Sequence, residues 1–233
     1  MQPPTEPLIT AAPAPWDLKG RGYISLLRFP TGSGALDRFV PVSLQGRRST
    51  TRWAWMMFVD YQTSAVGPYH ELLFIPGSFP FEDGQRHLSI SRIFVSSMDS
   101  VVNGRRNWGI PKDLAQFEVR YGAQGVDQVT IRQDGALVAE LKYRHYPLWL
   151  PFSTALVPRS LRTLGQHQEN RSFVYTPSAT GWVTPARLIE ARSNPGLFPD
   201  LRDVSAPLTL RTPRFAMRFP VSQIYSLPSE SLS

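Results

Sequence analysis

Of the residue types able to do chemistry, cysteine is absent, and the four histidines, His70, His87, His145 and His167, stand far apart. Without cysteines there is no disulfide staple, thiolate zinc site or cysteine nucleophile. No HExxH, GxGxxG, GxSxG or phosphate-binding glycine loop occurs, so no metal site is expected. One segment differs, Asn103-Gly104-Arg105-Arg106-Asn107-Trp108-Gly109-Ile110-Pro111-Lys112-Asp113-Leu114-Ala115. The chain has only three lysines, Lys19, Lys112 and Lys142, and it places Lys112 just after a Gly-x-Pro bend, flanked by Trp108, Ile110 and Leu114. An amine set among apolar side chains is one whose proton affinity burial lowers.

The elements that must position this lysine read mainly as strands. The 233 residues are 42% hydrophobic and 18% charged, which excludes a disordered chain. The 22 prolines are about twice the usual share of ~5% and argue against a helical bundle. Tyr23 to Phe29, Glu71 to Gly77 and the alternating His87 to Val95 read as strands. Trp53 to Val59 is a continuous apolar run, as a strand covered on both faces would be. Asp99 is expected to cap a short helix through Arg106. Asp134-Gly135 marks a hairpin between Val129 and Leu141. Thr184 to Arg192 reads as a second helix, with strands returning at Leu208 to Arg211 and Arg214 to Val221. The expectation is a mobile lead over 1–15, one β-rich α+β domain over 16–225 and a polar tail over 226–233.

The formal net charge is +7, yet the arginines are scattered and no basic run or aromatic-glycine RNA signature accompanies them, so nucleic acid is not the expected partner. The N-terminus does not read as a signal peptide. No apolar stretch approaches the ~20 residues needed to span a bilayer. The expectation is a soluble cytoplasmic protein with no membrane partner.

Three segments, in order, resemble the acetoacetate decarboxylase family. Pro15-Trp16-x-Leu18-x-Gly20-Arg21-Gly22-Tyr23 resembles the family's opening. Val66-Gly67-Pro68-Tyr69-His70-Glu71 resembles its Gly-x-Tyr-x-Glu segment. The segment around Lys112 is similar to the one that carries its Schiff-base lysine. The resemblance implies a bent antiparallel sheet forming a cone-like barrel around a central pocket, with a few short helices and a homo-oligomeric assembly. It implies that Lys112 is the imine-forming nucleophile, Glu71 a proton-transfer or orienting group, and Arg21 a clamp on a substrate carboxylate. Tyr69 and Trp108 become candidates to wall the pocket. No cofactor is implied.

Imine formation needs the neutral amine, and moving a lysine from about 10.4 to near 7 corresponds to about 4.6 kcal/mol. Burial and neighbouring cations push that way, acetoacetate decarboxylase being the established example. Arg21, Arg105 and Arg106 are the candidates for that positive field. Two departures stand out. Asp113 replaces the family's second lysine, and apolar Met56 stands where a second pocket carboxylate is expected. The resemblance therefore implies a Schiff-base lyase for a small β-keto or 2-oxo acid, either a decarboxylase or an aldolase-dehydratase. A keto-acid-binding protein without turnover is the alternative.

Overall fold

A computed structural model describes residues 9–227 of the chain. Strands make up 53% of it, against the ~20–25% of an ordinary soluble protein. In chain order they are β1 (Trp16–Arg28), β2 (Trp53–Thr63), β3 (Tyr69–Ile75), β4 (Ser78–Pro80), β5 (Arg86–Leu88) and β6 (Arg92–Val95). Helix α1 (Met98–Trp108) follows, then β7 (Lys112–Leu114), β8 (Gln116–Tyr121), β9 (Val126–Gln133), β10 (Ala136–His145) and β11 (Leu150–Ser153). The last are β12 (Leu164–Gln168), β13 (Arg171–Tyr175), β14 (Ser178–Ser193), β15 (Ser205–Phe219) and β16 (Gln223–Ser226).

Ten strands pair in the order β7-β6-β3-β2-β1-β15-β14-β10-β9-β8, with β11 added beside β14. The two ends of this path, β7 and β8, are separated in sequence by Ala115 alone. Since one residue spans at most about 3.6 Å, the sheet has to curl until its edges meet, and a nearly closed barrel results. The family resemblance implied this strand-rich, bent-sheet class. Within the barrel β6 and β7 run parallel. A parallel neighbour needs a crossover, and α1 supplies it. A smaller sheet, β16-β13-β12-β5-β4, packs nearby.

Alternation along the strands divides the core into two layers. Met56 and Phe58, Leu72 and Phe74, and Phe94 meet Val129 and Ile131 inside the barrel and fill it. Their neighbours Met57, Val59, Leu73 and Ile93 face outward, where Trp108 of α1 and Leu164 and Phe173 of the small sheet cover them. From Ala54 to Val59 the run is thus covered on both faces, as its composition suggested, whereas Trp53 at its start is exposed.

Several local expectations are corrected. Thr184 to Arg192 is not a helix but part of β14, hydrogen-bonded to β10 on one side and β15 on the other. Its Ala, Arg, Leu and Glu content favours a helix, but that preference is small per residue and two flanking strands override it. The cap of α1 is Ser97, whose Oγ accepts the Ser100 N–H at 3.3 Å. Asp99 lies in the first turn, where a negative charge suits the helix end, and accepts the Thr10 N–H at 3.0 Å. His87 to Val95 breaks at Ser89 to Ser91, so that β5 joins the small sheet and β6 the barrel. The two late strands are one, β15, with the irregularity near Pro213 absorbed by a register shift between Trp182 and Thr184. Of the lead, residues 10–12 are held on α1: Asn103 Oδ1 accepts the Ala12 N–H at 2.8 Å, and Asn103 Nδ2 donates to the Thr10 carbonyl at 2.8 Å. Residues 1–8 and 228–233 lie outside the described range.

Candidate active site

Lys112 is the first residue of β7, and α1 brings it there. The helix stops at Gly109, whose φ of 64° is the left-handed conformation that glycine takes without strain. Ile110 and Pro111 then turn the chain back beside β6, where Lys112 pairs with Ile93. The lysine side chain crosses α1 at Gly104. A Cβ at that position would lie 2.7 Å from Lys112 Cδ and 2.8 Å from Cε, so only glycine leaves the path open.

At the end of this path Lys112 Nζ donates to Glu71 Oε2 and to Ser100 Oγ, each at 2.9 Å. Lys112 and Glu71 are only 3% and 4% exposed, so the ion pair is essentially dry. The Tyr69 ring centroid lies 5.2 Å from Nζ, and the Tyr61 hydroxyl donates to Glu71 Oε1 at 3.4 Å. Burial disfavours the ammonium, but the Glu71 carboxylate, with a smaller contribution from Tyr69, outweighs it and holds Lys112 above the ordinary lysine value. Burial pushes the Tyr69 phenol up to about 12, and burial with Glu71 raises Tyr61 well above the ordinary phenol value, so both remain protonated near neutrality. The resting site therefore holds an ammonium with a proton acceptor in contact.

The pair sits at the closed end of a cavity of about 250 Å³ on the outer face of the barrel sheet. Trp16, Leu18, Met57, Ile93, Trp108 and Phe219 are among its walls. Among the described residues that line it, the only charged side chains are Glu71, Lys112 and Arg162. Arg162 lies at the solvent-facing end, with its Nε and Nη1 donating to the carbonyls of Val157 and Pro177 at 3.2 and 3.0 Å.

Four of the residues singled out in the sequence, Lys112, Glu71, Tyr69 and Trp108, meet at this cavity, and two do not. Arg21 faces the other side of β1, where it pairs with Asp60 at 2.9 Å and stacks 3.6 Å from the Tyr121 ring centroid. Strand alternation sets it on the face of Tyr23, opposite Leu18. Met56 is fully buried inside the barrel, and its neighbour Met57 lines the cavity instead. Asp113 diverges from Lys112 for the same reason and is bound by Arg92 and Arg105. Arg105 also donates to the Lys112 carbonyl at 2.6 and 3.0 Å, and Arg106 is exposed. The carboxylate that governs the amine is Glu71, not Asp113. Sequence reasoning missed Ser100, Tyr61 and Arg162. A glycine inside a helix, Gly104, was the one local signal that a side chain passes close by.

A model of the acetoacetate decarboxylase family matches residues 3–179, more than half of the chain. The chain belongs to that family. No curated protein matches it. Among solved structures, acetoacetate decarboxylase from Legionella pneumophila is similar with a TM-score of 0.67 at 13% identity, covering 97% of this chain and 92% of that one. An acetoacetate decarboxylase-like enzyme from Sphingomonas wittichii gives 0.66 at 11% identity, covering 93% and 95%. The enduracididine biosynthesis enzyme MppR, complexed with the condensation product of pyruvate and imidazole 4-carboxaldehyde, gives 0.62 at 16% identity, covering 93% and 91%. At these identities the likeness is one of fold. Among the described residues no helix is long and apolar enough to cross a membrane.

Proposed function

We propose that this protein is a carbon–carbon lyase acting on a keto acid through an imine at Lys112. The observation that carries the reading is the Lys112 amine, buried at the closed end of an apolar cavity and in contact with Glu71 and Ser100. Glu71 takes a proton from the ammonium, and the neutral amine adds to the substrate carbonyl. Glu71 returns that proton to the carbinolamine hydroxyl, which leaves as water and forms the iminium. The iminium accepts the electron pair of the breaking C–C bond, carbon dioxide departs, and the enamine takes a proton at carbon from water. Water then hydrolyses the iminium, releasing the ketone and restoring the amine. In the condensation variant, loss of an α-proton supplies the same enamine, which attacks an aldehyde.

Arg21 faces away, so Arg162 is the cavity-lining cation left to meet an entering carboxylate; its fork geometry suits that group. A second reading, a keto-acid-binding protein without turnover, draws on the same ion pair, because the resting amine is protonated. Carbon-13 NMR of keto acids incubated with the protein, alone and with an aldehyde, tests the proposal. Released bicarbonate or a condensation product, absent with Lys112→Met, supports it. Saturable binding with no product from either panel selects the binding protein.

A further inference from the structure

The cavity is far larger and more apolar than a four-carbon keto acid requires. A cavity of ~150 Å³ lined by Leu, Ile and Phe already holds benzene, and this one measures about 250 Å³. Its charged pair is confined to the closed end, where Lys112 and Glu71 are buried. Leu18, Met57, Ile75, Met217 and Phe219 line the cavity around that pair, and its lining reaches the surface at Leu161 and Ser178, both exposed. Acetoacetate bound at Lys112 would leave that length of wall facing water held by few hydrogen bonds. Displacing such water with an apolar group is favourable. Met57 and Met217 add unbranched, adaptable side chains that accommodate more than one tail shape.

We infer that the substrate carries an apolar substituent of ring size or longer, an alkyl or aryl group that runs from the reacting carbonyl along this channel toward the rim. The inference rests on the imine reading above and specifies its substrate class. Each buried methylene contributes about 0.8 kcal/mol at most, equivalent to about fourfold in affinity.

The test is a homologous series of 3-oxo acids from acetoacetate to 3-oxodecanoate, with 3-oxo-3-phenylpropanoate included. Half-saturation is read by borohydride trapping. In parallel, saturated acids of the same lengths, which have no ketone to react, are titrated by tryptophan fluorescence, Trp16 and Trp108 lining the cavity. Half-saturation is expected to fall two- to fourfold per added methylene in both series until the channel is filled. Adduct formation that is indifferent to length, or best with acetoacetate, overturns the apolar-tail inference and leaves the imine reading standing. Length-dependent binding of both series with no adduct at Lys112 overturns the imine reading while upholding the channel's preference for apolar tails.

Discussion

At the residue scale the question is the charge on one nitrogen. Opposite charges within ~4–6 Å move a pKa by about one to three units, and Glu71 lies within 2.9 Å of Lys112 Nζ. Imine formation by the native protein is therefore expected to rise with pH through the alkaline range. In Glu71→Gln burial is opposed only by the smaller contribution of Tyr69, and the trapping profile should move about one to three units toward acid; an unmoved profile would show that Glu71 does not set the amine's charge. Stability follows with its own sign. In the native protein the raised Lys112 pKa gives a contribution present below the unfolded value of 10.5 and lost as pH rises through the folded one. In Glu71→Gln the folded pKa is depressed instead, so destabilisation should deepen as pH falls from 10 toward 7, reaching about 3–5 kcal/mol at most. Thermal melts across that range measure it. Asp113→Asn breaks the contacts to Arg92 and Arg105 and should cost about 1 kcal/mol with no shift in the trapping profile. A shift would restore Asp113 as a governor of the amine.

At the element scale, α1 and β7 make the site by bringing a glycine and a lysine face to face. Gly104→Ala gains up to about 1 kcal/mol of helix propensity, yet its methyl overlaps the Lys112 stem, an overpacking that costs about 1–3 kcal/mol. Trapping at Lys112 should fall at least tenfold in a protein that retains its strand-rich circular dichroism. Unchanged trapping would mean that the lysine reaches its carbonyl by another path.

This scale also shows what was legible in the sequence. The hairpin at Asp134-Gly135, the first three strands and the lysine after the bend were readable because turn residues and apolar periods act locally. The helix expected over Thr184 to Arg192 failed because its strand conformation is set by pairing with β10, several elements earlier, and with β15, which follows it, and not by its own residues. Arg21 and Met56 failed for a finer reason. A motif fixes a residue's position along a strand, but the face it occupies depends on register, and one step exchanges cavity for barrel interior. Ser100 and Tyr61 gave no signal because they matter only once α1 and β2 are packed around Glu71.

At the scale of the whole molecule, a curled sheet filled with its own side chains leaves the candidate site to its outer face, where α1 and the small sheet cover an apolar channel. Arg162 at the rim is the charge an entering anion meets among the lining residues. Arg162→Met should raise KM for keto acids about tenfold with kcat little changed, and the difference should shrink at high salt. A fall in kcat instead would place Arg162 at the reacting atoms.

Whether the Lys112 amine condenses with a carbonyl inside that channel is read from peptide mapping after borohydride reduction in the presence of 3-oxo acids. The expected result is a single reduced adduct on the peptide bearing Lys112, lost in Lys112→Met and blocked by a saturated acid that fills the channel. Adducts spread over Lys19 and Lys142, or none across the whole series, would contradict it.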